Sequence, residues 1–318
     1  MIYPKKNVLV RHPANPIVKP DDMPAACMAV YNAGVTKKPD GEYVMASRFE
    51  SADKVQYIWV LRSRDGVRFT PDPEPLKFDG PPDVMEEFTR NTSASGAGLN
   101  AWWDARINPL EGKYYLTYAA NSNYGVRIGI AQTEDFKTAR PVSFPLPIHN
   151  YDAVLFPEKI KGQYWMLHRP IGQWGPAGIW IASSPDLHYW GNCQPVAMGH
   201  RFWENTKIGA GSPPIRTDKG WLIISHGVFP HTNGKNYSAG AMLLDLEEPW
   251  KVVARTDTAL LFVQEIYEMI GQVPNVIFPQ ALIVESDRSV KVYYGAADYV
   301  ECLATGNLDD LIAACFER

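Results

Sequence analysis

Asp104 stands in NAWWDARINPL, directly behind two tryptophans and two residues ahead of Arg106. Lost hydration among aromatics pushes a carboxyl toward its protonated form, as a general acid requires, whereas a neighbouring guanidinium favours the carboxylate. The local sequence leaves both open, along with a plain turn aspartate paired to Arg106. Basic side chains recur downstream, in HRP (His168, Arg169), WENTKIGAGSPPI (Lys207) and SHGV (His226). Gathered in one pocket they would hold phosphate or a carboxylate, with arginine supplying a two-pronged contact. Taken singly, Lys207 reads first as a solvated surface lysine and the histidines as hydrogen-bonded core residues; their equivalent positions in repeats favour the pocket.

Other chemistries find no support. The GAG of KIGAGSPPI lacks the third glycine of a dinucleotide fingerprint and runs into two prolines, so it predicts close backbone approach or a tight turn instead. His226 and His231 have no evident third ligand, and no metal site is expected. There is no GxSxG, and the four cysteines (Cys27, Cys193, Cys302, Cys315) form no CxxC pair.

Residues this far apart need a fold that gathers them. Five segments repeat one plan, a turn and a β-rich run, then a loop and a second β-rich run, with first runs starting at Gly41, Gly112, Gly162, Gly220 and Ser289. A spacing of about 50 to 70 residues suits four short strands per unit, the size of a propeller blade. The first runs alternate with period two and are rich in Tyr, Trp, Val and Ile, as strands are. Turns of the SRDG, TEDF and SPDL kind close the second runs. QEIYEMIG and NLDDLIAACFER are the places for short helices. The reading is an all-β, five-bladed propeller forming one domain over residues 1–318, with a pair of β-sandwiches as competitor. Polar residues at the ends of the first runs then converge on the channel mouth: Arg48, Glu50, Asn121, His168, Arg169, His226 and Asp298.

Composition narrows the partners. Lys plus Arg is 31 and Asp plus Glu is 35, a net charge of −4 that argues against nucleic acid. No stretch has the ~20 apolar residues of a membrane span, so a cytoplasmic protein with no membrane partner is expected. Ten tryptophans and 16 tyrosines suit stacking on sugar rings, with Trp102, Trp103, Trp174 and Trp203 in loop-like contexts. Inter-blade packing claims a share of them.

Block after block, the chain resembles glycoside hydrolase family 130, the mannoside phosphorylases and their relatives. The blocks are RHPANPI, WWDARI, LFPEKIKGQYWMLHRP, IWIASSPDLHYW, KIGAGSPPI, HGV, LLDLEEPWKVVART, VPNVIFP and VYYGAAD, in order and nearly end to end. The resemblance implies a five-bladed propeller that cleaves β-mannosides with inorganic phosphate, inverts the anomeric centre and releases α-mannose 1-phosphate. It implies Asp104 as the general acid, acting through a hydroxyl of the bound mannose. It places Asn32, Arg48 and Asp298 around that mannose, Arg169 and His226 on phosphate, and Lys207 with them; Trp103 is taken as a substrate-binding aromatic. Phosphate is co-substrate, and no cofactor is implied. Linkage (β-1,4 or β-1,2) and acceptor stay open, as does a homo-oligomer; the stretch EEFTRNTSASGAGLN is a candidate for setting the acceptor.

Three positions depart from the family's pattern. Ala105 follows the acid in place of proline, Tyr151 stands where some phosphorylases have a basic ligand, and Gln280-Ala281 replaces a small residue and glycine. The second bears on function, because a weakened phosphate site is how hydrolytic members are thought to differ. An inverting β-mannosidase is therefore the alternative, with Glu50 and Glu204 as candidates to activate water. A non-catalytic carbohydrate-binding propeller and a protein-interaction propeller rank below it.

Overall fold

The computed structural model describes residues 7–52, 55–81, 102–122, 125–171, 177–232 and 234–317. Trp174 and the stretch EEFTRNTSASGAGLN lie outside them. The five runs read from sequence form the strands Tyr43–Ser51, Lys113–Ser122, Tyr164–Pro170, Gly220–His231 and Ser289–Ala296. Each is the second strand of its sheet rather than the first. The innermost strands are the segments just before them, Cys27–Lys37, Trp102–Leu110, Asn150–Leu155, Lys207–Ala210 and Ile277–Val284. Five separate sheets in a ring, antiparallel but for the pair Lys77–Phe78 and Thr138–Ser143, replace the sandwich alternative.

Four of the innermost strands escaped the period-two reading because they are bulged; the fifth, Lys207–Ala210, is only four residues long. Pairing with the second strand slips between Tyr31 and Gly34, Trp103 and Arg106, Tyr151 and Val154, and Pro279 and Ala281. A polar residue followed by alanine sits at each slip: Asn32-Ala33, Asp104-Ala105, Asp152-Ala153 and Gln280-Ala281. Asn32, Asp104 and Asp152 have positive φ, between 54° and 55°. Asn and Asp tolerate that region better than other side chains, so the residue type and the bulge select each other. The alanines are buried because neighbouring innermost strands nearly touch; a Cβ on Gly34 would lie 2.5 Å from the carbonyl oxygen of Ala105. The bulge turns the polar side chain into the channel mouth.

Below the bulges, four of the innermost strands and residues 213–216 line an open cavity of about 330 Å³, with Thr36, Asn108, Leu155, Pro214 and Ile283 among its walls. Strand Leu9–Arg11 pairs with Val300–Asn307, so the N-terminal region completes the last blade. The outer turns are fixed by aspartates, as their sequences suggest. Asp65, Asp135, Asp186 and Asp245 each accept two backbone N–H bonds, for instance from His188 and Tyr189 onto Asp186. Helices are confined to Ile266–Met269, Leu308–Phe316 and two 3₁₀ turns among the described residues. None is long and apolar enough to cross a membrane.

Candidate active site

With the blades numbered by their innermost strands from Cys27–Lys37 (blade 1) to Ile277–Val284 (blade 5), Arg48 and Arg169 occupy the same position in blades 1 and 3. Each lies on the second strand opposite the tyrosine that precedes a bulge, Arg48 across from Tyr31 and Arg169 across from Tyr151. Each guanidinium stacks on its tyrosine, at 4.8 and 5.3 Å from the ring centroid. The aromatic face holds the cation and leaves its edge free for hydrogen bonds. Tyr151 therefore supports Arg169 rather than merely standing in for a basic residue.

Two clusters form at this mouth. In the first, Asn32 Nδ2 donates to Asp104 Oδ1 at 3.1 Å and Arg48 Nη1 lies 3.6 Å from the same oxygen. Trp103 is buried beside them, with its ring 5.7 Å from the Arg48 guanidinium. Asp298, in the positive-φ turn after Ser289–Ala296, joins from blade 5. Burial pushes its carboxyl up to about 6, against the pull of Arg48 and with the help of Asp104.

The second cluster surrounds Asp152, a residue the sequence reading passed over. It accepts from Arg169 Nε, and from Arg106 Nη2 at 3.4 Å, with His226 Nε2 3.6 Å away. Burial opposes its charge, but Arg169, together with Arg106, outweighs that and holds the carboxyl far below the usual range. His226 is wholly buried, which keeps its imidazole neutral well below its ordinary value despite Asp152. Gly209 lies opposite it, and a Cβ there would come within 2.3 Å of the imidazole and 2.6 Å of Asp152. This is the close approach that GAG predicts, made to side chains. Lys207 donates to the Tyr237 hydroxyl at 2.7 Å, and burial, then the charge of Arg169, pulls its amine down to about 7. Arg169 Nη1 is buried without a partner, a donor with nothing to donate to.

Arg106 joins the clusters. It bonds the main-chain carbonyl of Asp104 at 2.9 Å and the carboxylate of Asp152, so the turn-pair reading of Asp104 with Arg106 is corrected: its side-chain partner is Asp152. His168 does not join. Neighbouring side chains on a strand face opposite ways, and His168 Nδ1 pairs with Asn150 Oδ1 while Arg169 faces the site. Trp102 stacks on Phe78 in the inter-blade core, and Trp203 fills space left by Gly227 and Gly240, so neither offers a sugar platform. Glu204 is buried against Arg255 and Arg201, at 3.2 and 3.5 Å. Glu50 lies on the face of Arg48, and its charge is felt by Arg48 and Asp298.

A model of the beta-1,4-mannooligosaccharide phosphorylase family, glycoside hydrolase family 130, matches residues 5–317. The chain belongs to glycoside hydrolase family 130. It is 35% identical over 312 residues to a beta-1,4-mannooligosaccharide phosphorylase of Ruminococcus albus, covering 96% of this chain and 90% of that one. It is 28% identical over 299 residues to a 4-O-beta-D-mannosyl-D-glucose phosphorylase of Bacteroides fragilis, covering 90% and 75%. Among solved structures, the beta-1,2-mannobiose phosphorylase of Listeria innocua superposes with a TM-score of 0.83 at 26% identity, over 96% of this chain and 99% of that one. The bulges are where this member of family 130 keeps polar residues that its second strands alone would not supply.

Proposed function

We propose that this chain is a phosphorylase that cleaves β-mannosides with inorganic phosphate and releases α-mannose 1-phosphate. One observation carries the reading: Asp104, held by Asn32 and Arg48, shares a channel mouth with a buried basic group whose Arg169 has a free donor. The relatives named phosphorylases support it. In this reading Asn32, Arg48, Trp103 and Asp298 grip the mannose, while Arg169, His226 and Lys207 receive phosphate. Asp104 gives its proton, through a mannose hydroxyl, to the glycosidic oxygen as the bond from that oxygen to the anomeric carbon breaks. A phosphate oxygen bonds to that carbon from the opposite face, which inverts it. The nucleophile is already anionic, so the second carboxylate of an inverting hydrolase is not needed. Glu204, engaged by two arginines, is poorly placed to be one. A cytoplasmic setting suits a charged sugar phosphate.

The test is incubation with β-1,4-mannobiose, β-1,2-mannobiose and mannosyl-glucose, with and without phosphate. Mannose 1-phosphate formed only with phosphate is expected. Free mannose released at equal rates without phosphate would make the protein a mannosidase.

A further inference from the structure

Glu301 is fully buried on strand Val300–Asn307, directly across from Gly295 of the neighbouring strand. This cross-strand pair of blade 5 faces the bulge of blade 1. Glu301 Oε2 accepts from the backbone N–H of Ala33 at 3.2 Å, and the N–H of Asn32 also bears on the carboxyl. Gly295 provides the space for the Asn32 amide: a Cβ there would lie 2.0 Å from Asn32 Oδ1 and 2.8 Å from its backbone nitrogen. At the bulge, ladder pairing with the second strand is interrupted between Tyr31 and Gly34, so these N–H groups need another acceptor. Glu301 supplies it across the blade boundary.

We propose that Glu301 and Gly295 form a seat for the Asn32 bulge and so position the Asp104 carboxylate, with Glu301 acting through its reach and not through its charge. The chain of contact runs from Glu301 to the Ala33 N–H, through the Asn32 backbone to its Nδ2, and from there to Asp104 Oδ1. Glu301 touches neither sugar nor phosphate in the proposed reaction; it is a positioning residue. Burial, reinforced by the nearby charge of Asp104, holds its carboxyl well above the usual range, which agrees with a neutral acceptor.

The inference rests on the proposed role of Asp104, and two matched variants test it. Glu301→Gln keeps the reach and an acceptor oxygen; Glu301→Asp keeps the acid and is one methylene too short. Cleavage of mannobiose is measured with and without phosphate, so loss of phosphate dependence reports on the phosphorylase reading and the variant ratio reports on the seat in either case. Expected are kcat/KM for mannobiose within about twofold of the parent and an unchanged pH profile for Glu301→Gln, and kcat/KM about tenfold lower for Glu301→Asp. Glu301→Asp as active as the parent, or Glu301→Gln the more damaged of the two, would overturn the proposal. Should Glu301→Asp not fold, Gly295→Ala loads the same bulge from the other side: lowered kcat/KM for mannobiose upholds the seat, and unchanged kcat/KM refutes it.

Discussion

Arg106 and Asp152 meet at 3.4 Å in the protein interior, and the same guanidinium also holds the main-chain carbonyl of Asp104. The acid and the basic cluster are therefore not independent. Two bulged strands from adjacent blades are braced by one arginine, which fixes the proposed proton donor relative to the proposed anion site. Positioning of this kind is what the proposed displacement demands, since a shift of about 1 Å can cost ~10² in rate.

Asp104→Asn preserves shape and both contacts to Asn32 and Arg48 but carries no acidic proton. Turnover should fall by at least ~10²-fold with little change in mannoside affinity. Steady-state kinetics on mannobiose decide it; a near-normal kcat would remove Asp104 from the chemistry.

Arg169→Ala should raise the KM for phosphate by at least tenfold and leave the KM for mannoside nearly unchanged. The side chain loses the free Nη1 and the fork that Tyr151 and Asp152 orient. Equal effects on both KM values would instead mean that Arg169 braces the whole mouth.

The ring was legible because the second strands alternate cleanly and recur, about 50 to 70 residues apart, from Gly41 to Ser289. Arg48, Arg169 and His226 were found on them. Asp152 was not, although YDAV repeats the pattern of YNAG and WDAR around Asn32 and Asp104. A search for a polar residue followed by alanine ahead of each alternating run finds it. The partner of Arg106 had no such signal. Asp104 is its neighbour in sequence, but the bulge turns that carboxylate toward Asn32, and Asp152 arrives from the next blade. Glu204 illustrates the converse, an acid next to aromatics whose partners Arg201 and Arg255 are set by folding.

Asp152→Asn removes the one carboxylate among Arg106, Arg169 and His226 and leaves buried cations without a counter-charge. Breaking such a group costs about 3–5 kcal/mol, or roughly 5–10 °C in Tm. The sign with pH follows from a carboxyl held below its ordinary value: its contribution is complete above about 4, where the unfolded group is ionised, and is lost as pH falls toward the folded value. The stability gap between parent and variant should thus be widest near pH 6–7 and narrow below pH 4. Urea unfolding at both pH values tests this, and a gap independent of pH would contradict it.

Lys207 gives the sharpest prediction for the anion site. Its amine is pulled down to about 7 by burial and by Arg169, so in the empty site it is cationic below neutrality and uncharged above. A bound phosphate places negative charge beside it and favours the ammonium. Linkage then requires that phosphate bring a proton with it at pH above about 7, and affinity must fall as that proton becomes scarce, by up to tenfold per pH unit. Phosphate's own ionisation near neutrality also changes KM with pH, but it does so equally for any variant. Lys207→Met keeps the length of the stem and has no amine to titrate. Its KM for phosphate should exceed that of the parent at pH 6, and the two curves should converge toward pH 9. Measuring KM for phosphate across that range in both proteins separates the lysine from the nucleophile. Curves that run parallel from pH 6 to 9 would show that Lys207 does not face the phosphate, leaving its hydrogen bond to Tyr237 as its whole role.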